Sequence, residues 1–248
     1  MNILVCISNV PDTTSKINFI ENNSKFDDNG IQFIINPNDE FGLTKAVHLK
    51  ESNNANVTVL TVGEQKVEAT LRKCLAIGAD KAIRIDCPPI DAYSVAKEIE
   101  FHCKSTNYDI IMCGRESIDY NGGLVPGLLA GFLDYNFVTN CVNLEIEDSK
   151  ASLSREISGG TEISECNLPL VVGSQKGLVE ESDLIIPNMR GIMLARQKSL
   201  DVLESKGINA MTHDVKFNKP EAKNDVKLIN ANELDKLIDL LENEAKVI

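Results

Sequence analysis

Residues 57–85 read VTVLTVGEQKVEATLRKCLAIGADKAIRI, and the architecture follows from this stretch. Val57 to Val62 is rich in β-branched residues, a composition that favours a strand. Val67 to Ile77 carries its apolar residues at helical spacing and stops at Gly78, which can close a helix in the left-handed conformation. Ala82 to Ile85 is a second buried strand. Strand, helix and strand in this order form a βαβ unit.

The same alternation extends outward on both sides. Asn2 to Ser8 is an apolar strand and Ile31 to Ile35 a short extended segment. Asp39 to Ser52 reads as a helix, with Phe41, Leu43, Ala46, Val47 and Leu49 near one side. Ala92 to Cys103 is helical, Tyr108 to Cys113 is a strand ending at Gly114, and Leu124 to Leu133 is another helix. The pattern predicts an α/β fold with a doubly wound, mainly parallel sheet. Ligands of such sheets lie beyond the carboxyl ends of the strands, where the strand order reverses. That places the expected site at Cys6 to Pro11, Val62-Gly63 and Gly114 to Gly127.

From Phe137 the texture changes. Val142 to Ile146, Ser152 to Ile157, Glu162 to Cys166 and Leu170 to Gly173 are short strands with tight turns, a β-meander over residues 137–173. Gly159-Gly160 suits a hairpin turn, which needs positive φ. Asn188 to Lys198 is a basic helical stretch containing Met189, Arg190, Met193 and Arg196. Ser205 to Asp225 is polar and irregular. Asn230 to Asn243 is a last amphipathic helix with Leu234, Leu237, Ile238 and Leu241 on one face. The expected organisation is an α/β domain over residues 1–200 and an extended arm with a helix over 201–248. An irregular stretch of about 20 residues is unusual inside a compact domain. The arm either docks elsewhere or folds back on its own domain.

Composition narrows the function. Of 248 residues 43% are hydrophobic, enough for a substantial core, and the net charge of −12 disfavours nucleic acid and anionic membrane, both polyanions. Met1-Asn2 runs straight into an apolar strand without a basic leader, and no apolar run approaches the roughly 20 residues of a spanning helix. The expected setting is the cytoplasm. The seven cysteines show no Cys-x-x-Cys spacing and read mainly as reduced, structural thiols. His48, His102 and His213 are far apart in sequence, so no metal site is expected. No nucleophile, base and orienting group stand at recognisable spacing.

Two segments offer binding chemistry. In Asn36-Pro37-Asn38-Asp39-Glu40, Pro37 keeps Asn36 extended, and Asn38 or Asp39 can cap the following helix. Either this is an ordinary capped helix, or its exposed N–H groups hold an anion or a nucleotide hydroxyl. The loop Gly114 to Gly127, GRESIDYNGGLVPG, joins a strand to a helix and permits close backbone approach. Its glycines fit neither a Walker loop nor G-x-G-x-x-G. Arg115 can meet a phosphate or pair with Glu116 or Asp119. Arg155, Glu156 and Glu162 suit surface ion pairs or a partner contact.

The run Arg155 to Val172, REISGGTEISECNLPLVV, followed by Pro187-Asn188-Met189-Arg190-Gly191-Ile192-Met193, resembles the signature of the electron transfer flavoprotein β-subunit family. So do Ile3-Leu4-Val5-Cys6-Ile7 with Val10-Pro11-Asp12-Thr13-Thr14, Ile35 to Glu40, Leu75 to Asp80 and Ala130 to Asp134. The likeness to the FixA-like group covers residues 1–200. It implies a Rossmann-like, adenine-nucleotide-binding domain that is an electron carrier subunit rather than an enzyme. It further implies an α-subunit partner holding FAD near Val10 to Thr13 and Asn38, and an AMP or a second FAD in this chain. Flavin dehydrogenases such as acyl-CoA dehydrogenases would be served. Carried over by position, the nucleotide pocket involves Cys6, Asn36, Pro37, Asn38, Asp39, Val62, Gly63, Asp119, Asn121, Gly122, Gly123, Leu124, Val125, Gly127 and Ala130. Leu178 aligns with the leucine that anchors the carrier on dehydrogenases. The family's D-x-D-x-x-Q-x-G loop is altered here: Asn121, Leu124 and Pro126 replace its second Asp, its Gln and its Gly. A universal-stress-type nucleotide-binding module shares the sheet but lacks the meander and the arm.

Overall fold

A computed structural model describes residues 1–221 and 226–248. Residues 222–225, the end of the Ser205 to Asp225 stretch, lie outside the described residues. The elements are β1 (Asn2–Cys6), β2 (Asn9–Pro11), β3 (Phe19–Ile20), β4 (Lys25–Phe26), β5 (Phe33–Ile35), α1 (Pro37–Asn53), β6 (Asn56–Val62), α2 (Glu68–Ile77), β7 (Lys81–Asp86) and α3 (Ala92–Ser105). They continue with β8 (Ile110–Gly114), α4 (Val125–Leu133), β9 (Asn136–Glu147), β10 (Lys150–Ile157), β11 (Gly160–Asn167), β12 (Leu170–Ser174), α5 (Met189–Ala195), β13 (Leu200–Glu204) and α6 (Leu234–Asp239).

Nine strands form one sheet in the order β11-β10-β9-β12-β8-β1-β6-β7-β13. From β9 to β13 every neighbouring pair is parallel. Ile3 lies opposite Val57 on one side and Ile110 on the other. Successive side chains of β1 therefore enter opposite cores. Ile3 and Val5 join Leu43 and Val47 of α1 and Leu71 and Leu75 of α2. Leu4 and Cys6 join Ile99 and Cys103 of α3 and Leu129 and Ala130 of α4. Helices thus cover both faces, as a doubly wound sheet requires. Each fully buried Ile or Leu in these cores contributes roughly 1.5–3 kcal/mol.

The Ile31–Ile35 segment is extended and lies outside the main sheet: β5 pairs antiparallel with β2 in a separate ribbon. The meander is three strands, β9 to β11. The fourth run, β12, returns between β9 and β8 and is parallel to both. Residues 200–204 form β13, an edge strand on β7 that the pattern did not announce. The basic stretch after Asn188 belongs to the body, where its carbonyls and lysine close helix ends. Arg72 donates to the carbonyls of Ala195 and Lys198 at 2.8 Å each, and Lys198 Nζ donates to those of Leu75 and Ala79 at 3.0 and 2.6 Å.

The first part of the arm folds back on its own domain. Glu98 on α3 is buried and accepts hydrogen bonds from Ser205 Oγ and the Lys206 amide at 2.6 and 3.0 Å. Asp91 Oδ2 accepts from the amides of Met211 and Thr212 at 2.7 and 2.9 Å. Farther on, Tyr120 donates to Asp214 at 3.1 Å, and Phe217 stacks on Phe19 with centroids 4.7 Å apart. The terminal segment is different. Leu228, Leu234, Ile238, Val247 and Ile248 are exposed, and the helix runs from Leu234 rather than Asn230.

Candidate functional site

The strand order runs outward from β1 through β6 and β7, then reverses to β8, so the switch point lies between the ends of β1 and β8. Asp39 joins those two ends. One of its carboxylate oxygens accepts from the Ser8 amide just beyond β1, and the other from the Gly114 amide at the end of β8, both at 2.7 Å. The β1–β8 pairing ends at Val5 and Met112, and the carboxylate accepts amide donors just beyond it. Its side chain is placed by α1, whose first turn begins at Pro37. Burial pushes the Asp39 carboxyl up to about 7, against the two backbone donors, which favour its charged form.

Asn36 and Asn38 extend the seam. Their side-chain amides donate to the Glu116 carbonyl at 2.9 and 3.0 Å, and Asn36 Oδ1 accepts from the Ile118 amide at 3.2 Å. Ser174, at the end of β12, donates to the carbonyls of Asn38 and Cys113 at 2.8 and 2.9 Å. Gly114 is required here because a Cβ would overlap Asp39 Oδ1 and lie 2.8 Å from Asn36 Nδ2. The Asn-Pro-Asn-Asp segment is therefore a clamp. Its side chains hold the strand ends and the β8–α4 loop in register.

The other expected residues lie around this clamp. Cys6 closes β1 in the α3–α4 core, and its thiol is pushed up by a hydrogen bond with Cys113 and by burial. Val62 is buried at the end of β6, and the Gly63 carbonyl accepts from the buried Arg84 at 3.0 Å. Asp119, Asn121, Gly122, Gly123 and Leu124 form an exposed loop. Asn121 has φ 50, a left-handed turn that Asn tolerates well. A Cβ at Gly123 would sit 2.7 Å from the Arg115 carbonyl, so only glycine fits. Val125 and Gly127 stand in the first turn of α4, and Ala130 is buried one turn on. No side chain caps α4, whose first amides face the loop side of the sheet.

Chemically, this is a rigid floor with a backbone-rich rim. The uncapped start of a nine-residue helix attracts anions, and the glycines let a ligand approach the chain closely. Arg115 is committed: it pairs with Glu116 at 2.6 Å and meets Gln175 at 3.3 Å.

Residues 24–206 match the family model described as electron transfer flavoprotein domain. The chain is 34% identical to the electron transfer flavoprotein subunit beta of Bacillus subtilis (strain 168), over the full length of both. It is 31% identical to that of Syntrophomonas wolfei, over all of this chain and 98% of the relative. Against the human subunit it is 29% identical over 82% of this chain and 81% of the relative. The chain belongs to the electron transfer flavoprotein β-subunit family. Membership supports an electron-transport role and implies flavin association in a complex and an α-subunit partner. No helix among the described residues is long and apolar enough to cross a membrane.

The structure places one expected residue in the core and brings in others that were not expected. Leu178, expected to face a dehydrogenase, is only 4% exposed and packs in the α1–α2 core. Ile186, Met189 and Met193 are the exposed apolar residues near it in the chain. Ser174, Asp91, Glu98 and Tyr120 are structural partners that the sequence pattern did not single out. For Ser174 the available signal was a small hydroxyl ending an apolar run, Leu170-Val-Val-Gly-Ser174. Nothing in the pattern marked Glu98, whose partners lie more than a hundred residues away.

Proposed function

We propose that this chain is the β half of a heterodimeric electron carrier. It holds an adenine nucleotide, AMP or a second FAD, at the β1–β8 switch point and pairs with an α subunit that houses the redox-active FAD. One observation carries the reading. The uncapped N-terminus of α4 stands behind the exposed Gly122-Gly123 turn at the carboxyl edge of a parallel sheet. The residues fit the group: the amides of Asn121, Gly123 and Leu124 are taken up within the loop and Pro126 has none, which leaves the N–H groups of Gly122, Val125 and Gly127 to suit a phosphate, and Cys6, Val62 and Ala130 supply an apolar floor. The loss of the family's second Asp and its Gln at Asn121 and Leu124 leaves a backbone-dominated contact. The side chains of Asn36, Asn38 and Asp39 support the pocket through the loop.

A bound flavin supplies the electron-transfer chemistry, and this chain provides position and surroundings. The exposed Leu234, Ile238 and Val247 suit burial against the α subunit. Docking of flavin dehydrogenases such as acyl-CoA dehydrogenases at Leu178 requires the loop after β12 to turn that side chain outward. Ile186 and Met193 offer apolar surface without such a change. We place the complex in the cytoplasm.

Co-expression with the α subunit tests the reading. It should yield a yellow heterodimer containing FAD, whereas the chain alone should be colourless. A stable β monomer with no affinity for the α subunit would refute it.

A further inference from the structure

We propose that residues 205–219 form a strap that closes the carboxyl edge of the sheet and gates exchange of the ligand held there. Naming that ligand an adenine nucleotide rests on the reading above; the gate itself does not.

The strap has a path, a cavity and separable latches. It leaves β13, crosses the start of α3, passes the loop carrying Tyr120 and ends on the β3–β4 hairpin. It thereby spans the ends of β6 and β7 and reaches the loop of the switch point. Beneath its first part lies a cavity of about 250 Å³. Val62, Cys87 and Val95 form the body side of this cavity, and Ser205, Gly207 and Ile208 the strap side. A wall made of strap opens when the strap lifts.

The strap is held mainly by polar contacts. Met211 and Val215 point outward, 71% and 76% exposed, so they anchor nothing in the core. Glu98 grips the near end through Ser205 and Lys206. Asp91 grips the middle, with Thr212 Oγ adding a third bond to Oδ2 at 3.3 Å. The far end rests on the Phe19–Phe217 stack, the Tyr120–Asp214 bond, the Phe217 amide on the Asn23 carbonyl at 2.7 Å and Lys219 on Asn18 at 2.7 Å. Segments with few buried apolar contacts open at low free energy. The Asp91 and Phe217 latches can therefore be loosened without disturbing either core.

Asp91 allows a clean test because its two oxygens have different tasks. Oδ1 caps α3 through the Ser94 amide at 2.8 Å, while Oδ2 holds the strap. Asn caps helices as well as Asp. Asp91→Asn thus keeps the cap and turns an NH₂ group toward the Met211 and Thr212 donors. Phe217→Ala loosens the far end independently, away from α3.

The experiment uses the heterodimer in wild-type, Asp91→Asn and Phe217→Ala forms. Three readouts are compared: hydrogen exchange of the Lys206, Met211 and Thr212 amides, N-ethylmaleimide labelling of Cys87 followed by peptide mass spectrometry, and release of AMP into excess competitor. Both variants should speed strap-amide exchange, Cys87 labelling and AMP release together, Asp91→Asn by about tenfold or more, the scale of one or two charge-assisted hydrogen bonds. Faster strap-amide exchange with unchanged Cys87 labelling would overturn the gate. So would unchanged strap-amide exchange in both variants, because the latches would then hold nothing. If Cys87 labelling accelerates but the wild type retains no AMP, the gate stands and the nucleotide reading fails.

Discussion

Replacing Asp39 by Asn should change the pH dependence of stability. In the folded chain burial raises this carboxyl from its ordinary 3.8 to about 7. Below about pH 4 folded and unfolded states both hold the proton. Between about pH 4 and 7 only the folded state holds it, so every unit of rising pH costs about 1.4 kcal/mol. Above about 7 both states release the proton, and the loss levels off. From pH 5 to pH 8 the wild type should lose about 2.5 kcal/mol through this one group. The substituted carboxamide would not titrate, and its carbonyl still accepts one of the two amides of Ser8 and Gly114. Other titrating groups are shared, so they cancel in the difference between the proteins. The assay is urea unfolding of both at pH 5, 6, 7 and 8, followed by circular dichroism. The stability of Asp39→Asn relative to wild type should rise by about 2.5 kcal/mol across that range. A constant gap would show that Asp39 is ionised throughout. The amide bonds from Ser8 and Gly114 would then outweigh burial, and the reasoning would fail.

Three further substitutions probe the clamp and the core. Gly114→Ala drives a Cβ into Asp39 and Asn36 and should cost about 1–3 kcal/mol, read as a lower melting temperature. Ser174→Ala leaves the buried carbonyls of Asn38 and Cys113 without their hydroxyl donor and should cost about 1–2 kcal/mol by the same assay. Leu178→Ala should cost about 2–5 kcal/mol, as core truncations do, while Leu194→Ala on the half-exposed face of α5 should stay within about 0.5 kcal/mol. Equal melting temperatures for that last pair would contradict the burial of Leu178.

The sheet was legible where local pattern and tertiary role coincide. In β6, α2 and β7 the apolar period changes from run to helix to run, with Gly78 between, and each element stands within a few residues of its expected place. β13 was not legible, since Leu200-Asp-Val-Leu-Glu204 is short and half polar. Its strand character comes from β7, which supplies the partner across the sheet edge. The insertion of β12 beside β8 is equally non-local, because a short apolar run does not state its neighbours. At the candidate site, the loop from Asp119 to Gly127 stood out by its glycines. The segment from Asn36 to Asp39 stood out too, but its hold on the strand ends and the β8–α4 loop was not readable. A capping motif reads the same in sequence whether its side chains face a ligand or the backbone of another loop. Ser8, one partner of Asp39, lies 31 positions away, and the partners of Asp39 and Asn36 in β8 and its loop lie about 75 to 82 positions away, beyond any local pattern. The strap escaped for a similar reason: Asp91 announces a helix start, and its second oxygen has no signature.

The adenine nucleotide itself is the most direct test. The co-expressed heterodimer should be denatured and the released ligands quantified by mass spectrometry. One FAD together with one AMP per heterodimer, or two FAD, would agree with a nucleotide held by this chain. A single FAD with no second adenine nucleotide would contradict it.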